Sequence, residues 1–240
     1  MLMTLKPRIP KNEKARLEAL RRYNVLDTAP EQTFDDITLL AAFICGTPIA
    51  IMTLVDGGRQ WFKSKVGLTT PETLRNDSFC AHALEQTELL VVEDALADQR
   101  FANNPLVTAD PHIRFYAGAP LITPEGHTLG TLCVIDRQAR QLTPEQAVAL
   151  KALARLVITK LELRRVSADL AEVAANFKTL SALLPICSYC KGIRNDEGYW
   201  HRVETYLQTH TETEFTHGIC PDCAKKHFPH LDLSPKKTKA

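Results

Sequence analysis

From Glu145 to Leu184 the chain contains neither proline nor glycine, and Pro144 just ahead is a residue that a first helical turn accepts. The stretch reads as one helix of about 40 residues, roughly 60 Å long at 1.5 Å rise per residue. A rod of that length outruns any core a small domain offers, so the residues before and after it belong to separate units. Its side chains divide accordingly. Ala147, Leu150, Ala154, Val157 and Leu161 recur at helical spacing and form a stripe for packing on the preceding domain. A second stripe runs through Leu156, Thr159, Leu163, Val166, Leu170, Val173, Phe177, Leu180 and Leu184, alternating by three and four with Thr159 as its polar member. That heptad spacing predicts a coiled coil, and with it a parallel homodimer. The competing reading is a helix lying on its own core, but Pro185 stops it beyond any domain it could cover.

Ahead of the helix the elements alternate. Asn12 is placed to cap a first helix, NEKARLEALRRY, and a second starts near Thr28-Ala29-Pro30-Glu31 and stops at Gly46. PIAIMTLVD and RQWFKSKV then flank Gly57-Gly58 as a hairpin. Both alternation sets of Ile49–Val55 are apolar apart from Thr53, which predicts a strand covered on both faces. Residues 67–110 are irregular, with a short helix near SFCAHALEQ and a strand LLVVED. HIRFYAGAPLI and TLGTLCVID add two strands around the turn Pro124–His127. The sum is an α+β domain: about five strands in an antiparallel sheet, helices on one face and a looped segment over the other.

The 240 residues are 45% apolar, enough for such a core, and the net charge of +1 provides no field for nucleic acid or anionic lipid. Neither nucleic acid nor membrane is therefore an expected partner. The longest apolar run, Ala41–Val55, is broken at Gly46, Thr47 and Pro48 and falls short of the roughly 20 residues of a spanning helix. No export signal is legible, so a reducing cytoplasm is the expected compartment, where structural disulfides are rare.

VLDTAPEQTFDDIT, LVDGGRQWFKSKVGL, SFCAHAL, RFANNPLV, IRFYAGAPL and LGTLCVIDR, in this order and spacing, resemble a bacterial GAF domain over roughly residues 12–165. The resemblance implies a sensory domain, a sheet backed by helices, and a small-molecule pocket under the long insertion. It names no ligand.

Behind the helix stand two Cys-x-x-Cys pairs, Cys187 with Cys190 and Cys220 with Cys223, with 29 residues between Cys190 and Cys220 (220 − 190 − 1). One tight turn presents two thiolates at this spacing, and two such turns supply the four soft ligands of a closed tetrahedral zinc site. The intervening residues have room for the turn Asn195–Gly198 and a helix WHRVETYLQTH. A haem-attachment motif would need His after the second Cys, where Lys191 and Ala224 stand. A thioredoxin-like site would need a βαβ context that is missing, while an iron–sulfur cluster remains chemically open. His217 and His227 are near enough to substitute for a cysteine. The segment also resembles a cysteine module appended to many bacterial GAF, PAS and receiver proteins.

Alternation on His112–Leu121 sends Ile113, Phe115, Ala117 and Ala119 to the helices and turns Arg114 and Tyr116 towards the looped side. Arg114, Tyr116, Cys80, His82 and Trp61 are the candidate ligand residues, with Arg114 expected to meet an anionic or polar ligand. The blander reading pairs Arg114 with a carboxylate and puts Trp61 in the core. No phosphate-binding glycine loop, kinase or cyclase signature or His-Glu-x-x-His motif is present, so the expectation is a protein that is not an enzyme. The alternative is a GAF-fold redox enzyme, similar to the free methionine sulfoxide reductases, working on Cys80 and Cys133. The expected layout is a tail over residues 1–11, a GAF domain over 12–160, a coiled-coil helix over 161–184, a zinc module over 185–230 and a basic tail over 231–240. The expected function is a cytoplasmic sensor that relays a ligand signal through the coiled coil to the zinc module and an unidentified downstream signalling protein.

Overall fold

None of the seven residues of β1 (Ile49–Val55) reaches solvent. That strand is the centre of the structure, a computed structural model that describes residues 6–181, 184–195, 197–212 and 214–230. β1 lies between β2 (Arg59–Val66) and β6 (Thr128–Asp136) in a sheet ordered β3-β2-β1-β6-β5-β4. The remaining strands are β3 (Glu72–Leu74), β4 (Leu90–Val92) and β5 (Phe115–Ile122), and every pair is antiparallel. The sheet has six strands where about five were expected, because β3 is too short to leave a periodic signal.

Alternation assigns the two faces of the sheet. Ala50, Met52 and Leu54 of β1, with Phe115, Ala117 and Ala119 of β5, share one cluster with α1 (Glu13–Arg22), α2 (Gln32–Cys45) and α4 (Pro144–Ser181). Ile49, Ile51 and Val55, with Tyr116, Cys133 and Ile135, share the other cluster with the irregular segment 79–113. Each buried large aliphatic or aromatic side chain contributes about 1.5–3 kcal/mol, so both faces stabilise the sheet. Ile113 departs from its expected side and packs in the second cluster. The reason is that β5 begins only at Phe115, after His112 has taken a positive φ of 60°.

The helix ends follow local chemistry. α2 ends at Gly46 with φ 61°, the left-handed cap position that suits glycine. α4 begins with a reciprocal cap, in which Thr143 Oγ1 accepts from the Gln146 N–H at 3.2 Å and Gln146 Oε1 accepts from the Thr143 N–H at 3.1 Å. Asn12 makes no such cap on α1. α2 begins at Gln32, later than expected, because Glu31 is still extended at φ −130°. Residues 28–31 are held from the sheet. A register slip beside Met52 and Thr53 makes Lys63 an extra residue in β2. Its buried ammonium reaches Glu31 at 2.8 Å, Thr28 Oγ1 at 2.8 Å and the Ala29 carbonyl at 2.7 Å.

Two compact units divide the chain, one up to Glu172 and one from Val173. The helix α4 runs through the boundary. Leu150, Leu153, Ala154, Val157 and Leu161 are its buried line, while Leu156, Leu163, Val166, Leu170 and Val173 are exposed along another. The side chains of Phe177 and Leu180, further along that seam, lie outside the described residues. On α2, Leu39, Leu40, Phe43 and Ile44 are exposed as well. In the second unit, β7 (Ile193–Arg194) and β8 (Trp200–His201) form a hairpin, followed by α5 (Val203–His210) and α6 (Pro221–His227). The expected helix over WHRVETYLQTH starts only at Val203, since Trp200 and His201 belong to β8. Ile193 and Ala224 are the hydrophobic residues buried among those described in this unit.

Candidate functional site

The two faces of the sheet end in different surroundings. Under the irregular segment, the outer face leaves a cavity of about 290 Å³. Ile51, Phe62, Tyr116 and Ile135 from four strands make its floor, and Phe79, Cys80, Leu106 and Ile113 its roof. Asp110 is the one charged residue of the lining. The roof is built from local bonds. Asn104 caps the one-turn helix α3 (Pro105–Thr108) through its Oδ1, and its Nδ2 donates to the Asp77 carbonyl at 2.9 Å. Phe79 stacks on Phe101 with ring centres 4.0 Å apart. The lining keeps polar capacity in reserve. Thr73 Oγ1 is buried without a partner, and the Ser78 hydroxyl occupies the oxygen end of the Gln60 amide.

Cys80 lies in the 3₁₀ turn Cys80–Ala83 of the roof, and Cys133 points up at it from β6. Their sulfur atoms are 3.8 Å apart, and both residues are buried. The Tyr116 hydroxyl donates to Cys80 Sγ at 3.3 Å, and the single Cys133 proton has two acceptors in reach, Cys80 Sγ and the Ile51 carbonyl at 3.6 Å. Burial pushes the Cys80 thiol up, but hydrogen bonds from Cys133, Thr131, Tyr116 and Thr53 outweigh it and hold Cys80 below the ordinary thiol range. Cys133 is driven well above that range, first by Cys80 beside it and then by burial. Tyr116 lies flat over Gly118, where a Cβ would fall inside its ring and hydroxyl.

Of the candidate ligand residues, Cys80 and Tyr116 line the cavity and Arg114, His82 and Trp61 do not. Arg114 is held bidentate by Asp94, with both N···O distances 2.7 Å, and so meets a carboxylate of its own chain. This corrects the expectation that it faces an anionic ligand there. Trp61 packs on the helix side because its neighbour Phe62 takes the cavity side. His82 leans edge-on against Phe101 at 4.8 Å, beside a surface hollow with Lys6, Arg8 and Arg100. Burial, followed by the charge of Arg100, lowers its pKa to about 4. Phe62, Ile51 and Ile135 were legible as alternating strand residues, whereas the roof residues Phe79 and Leu106 come from loops with no period to reveal them.

In the second unit each cysteine pair sits on one turn. The Lys191 N–H donates to the Cys187 carbonyl at 3.0 Å, and Cys220 stands at the N-cap of α6 with Cys223 inside its first turn. Backbone N–H groups of Cys190 and Tyr189 lower the Cys187 thiol, and that of Cys223 lowers Cys220. Among the described residues, however, no three His, Cys, Asp or Glu side chains gather as a metal group. The two turns, and His217 and His227, therefore do not converge into the expected four-ligand set. Among the described residues no helix is long and apolar enough to cross a membrane.

The sequence profile of the GAF domain family matches residues 29–161, more than half of the chain. A cyclic di-GMP phosphodiesterase of Pseudomonas aeruginosa is 42% identical over 160 residues, which cover 66% of this chain and 27% of that protein. The chain thus spans about a quarter of that relative's length. This corrects the expectation of a protein with no enzymatic role, since a relative this similar is an enzyme by name. In solved structures, the GAF domain of a phosphoenolpyruvate-protein phosphotransferase from Coxiella burnetii is similar at 16% identity and a TM-score of 0.50, over 66% of this chain and 99% of that one. The free methionine-R-sulfoxide reductase of Neisseria meningitidis is similar at 17% identity and a TM-score of 0.48, over 70% of this chain and 99% of that one. At such identities the first of these shows the fold alone.

Proposed function

The chain belongs to the GAF domain family, and from that premise we propose that it is a bacterial cytoplasmic sensor whose cavity takes a small molecule and whose long helix passes the event on. The observation that carries this reading is the cavity itself, with its apolar floor and the unpartnered buried hydroxyl of Thr73. A ligand that pairs that hydroxyl supplies the hydrogen bond that the protein does not. Tyr116 on the floor is followed in β5 by Ala117, which packs in the same cluster as Leu150 and Val157 of α4. A ligand that favours one position of β5 over another therefore acts on α4 directly. Only such a differential affinity can shift the helix.

In this reading α4 pairs with its twin in a parallel homodimer through its exposed seam. The cysteine module at its end holds zinc and presents a surface to a downstream signalling protein. Cys187, Cys190, Cys220 and Cys223 would hold the metal only once the two turns close on it, since they stand apart in this structure. Four thiolates would then make it a structural ion that joins the turns. Iron is the competitor that metal analysis separates. The name of the phosphodiesterase relative supports an output in cyclic di-GMP turnover. Native mass spectrometry of the protein purified from cells tests the proposal in one measurement. A dimer carrying one metal ion per chain and a retained small molecule is expected. A ligand-free, metal-free monomer would overturn it.

A second reading, a sulfoxide-reducing enzyme on Cys80 and Cys133, is favoured by the 3.8 Å between their sulfurs. It ranks second because Cys133 does not line the cavity, so a reductant would have to reach a disulfide buried on one side. Thiol oxidation dependent on methionine sulfoxide would decide for it.

A further inference from the structure

Two thiols within 4 Å of each other, beside a cavity, do more than fill space. We propose that Cys80 and Cys133 form a peroxide-oxidisable dithiol that closes to a disulfide in the cavity wall. The placement carries the inference. Cys133 is fixed in β6, paired on both sides by β1 and β5. Cys80 sits on a single 3₁₀ turn of the roof. A disulfide needs the sulfurs at about 2.05 Å, so they must approach by roughly 1.7 Å from where they stand. The roof turn, not the sheet, supplies that movement. Cys80 also lines the cavity while Cys133 lies behind it, so an oxidant entering the cavity meets Cys80 first. The Tyr116 hydroxyl donates to the Cys80 sulfur and stabilises its thiolate.

The oxidant is hydrogen peroxide or a small organic hydroperoxide. The Cys80 thiolate attacks one peroxide oxygen and the O–O bond breaks. The departing oxygen takes a proton and leaves as water or an alcohol, and Cys80 becomes a sulfenic acid. Cys133 then gives up its proton and attacks the Cys80 sulfur, and the sulfenic hydroxyl leaves with that proton as water. Two thiols lose two electrons and one peroxide gains them. Cys45 has no such partner, being buried on the helix side of the sheet. Closing the bond draws the roof turn towards β6 together with Phe79, which precedes Cys80 and is stacked on Phe101. Oxidation and ligand occupancy would then act on one wall. The inference rests on the sensory reading only in that the cavity admits small solutes.

The test treats the full chain with one equivalent of hydrogen peroxide, alkylates the remaining thiols and maps the peptides by mass spectrometry. A Cys80–Cys133 crosslinked peptide is expected, with alkylation of both lost and Cys45 unchanged. In Cys133→Ser the crosslink should be replaced by a sulfenic acid on Cys80, trapped by a dimedone reagent. Cys80 and Cys133 staying as unoxidised as Cys45, or Cys80 pairing instead with a cysteine of the second unit, would overturn the proposal. A retained ligand without a crosslink sinks this proposal and leaves the sensory reading standing. A crosslink in a protein that native mass spectrometry shows as a ligand-free, metal-free monomer supports this proposal and sinks the sensory reading.

Discussion

Glu13 shows how strongly one side chain can tie the molecule together. It bonds Arg16 at 2.8 and 2.9 Å and Arg75 at 2.5 Å, and Arg16 is only 1% exposed. Burial on its own would raise the Glu13 carboxyl, but the two guanidiniums outweigh it and bring its pKa to about 2 from 4.5. A depressed carboxyl stabilises the fold above its unfolded pKa and loses that contribution as pH falls. With solvent screening taken into account, about 1–2 kcal/mol should therefore disappear between pH 4.5 and 2. Urea unfolding across that range checks this. Glu13→Gln should start lower at pH 6, because Arg16 is left buried and unpaired, and its stability should fall less towards pH 2. Parallel curves for the two proteins would remove Glu13 as the cause. Gly118 offers a second test at this scale. Gly118→Val drives a side chain into Tyr116, which has no room to retreat except into the cavity. We expect a loss of about 1–3 kcal/mol and a faster reaction of Cys80 with small alkylating reagents. An unchanged Cys80 rate would mean that Tyr116 had not moved.

At the scale of elements, legibility followed periodicity. β1 was readable as doubly covered because its apolar residues left no polar face, and α4 was readable because nothing in it could break a helix. Gly46 marked the end of α2, because the left-handed cap position suits glycine above other residues. Lys63 was not legible, since a lysine in a strand ordinarily reads as a solvent-facing residue. Only the slip beside Met52 reveals that it turns inward to bind residues 28–31. Lys63→Met should cost about 1–3 kcal/mol by orphaning the Ala29 carbonyl and weakening the hold on Glu31. Denaturant midpoints measure it, and a neutral substitution would show that the bulge is not held by its ammonium. Half of the candidate site was similarly out of reach. Cys80 and Tyr116 could be named, and a carboxylate partner was one of two readings of Arg114, but nothing in the pattern singles out Asp94, 20 residues earlier, as that partner. The exposed seam of α4 carries its own prediction. Leu163 and Leu170 are 61% and 64% exposed and stand seven residues apart. Replacing both with Glu should convert a dimer to a monomer in sedimentation experiments while the sheet domain stays folded. A double variant that still sediments as a dimer would end the coiled-coil reading.

For the molecule as a whole, the two units differ in what can hold them folded. The sheet domain buries two apolar clusters, one on each face. The second unit buries Ile193 and Ala224 and leaves Tyr189, Tyr199, Trp200 and Ile219 exposed among its described residues. So little buried apolar surface cannot offset the entropy of ordering some fifty residues, at about 1–2 kcal/mol each for the backbone. The proposed metal would supply the missing contribution, since structural zinc sites bring on the order of 10 kcal/mol or more. Gly192 fits the same account, because a Cβ there would press to 3.1 Å from the His201 carbonyl and 3.5 Å from Cys190 Sγ, crowding the first cysteine turn. A chelator should therefore expose Cys187, Cys190, Cys220 and Cys223 to alkylation and open residues 185–230 to proteolysis. A resistant fragment ending near Glu172 should survive, with Cys80 and Cys133 still protected inside it. Loss of both units together would mean that they fold as one. Protection of residues 185–230 in metal-free protein would mean that zinc is not what holds them.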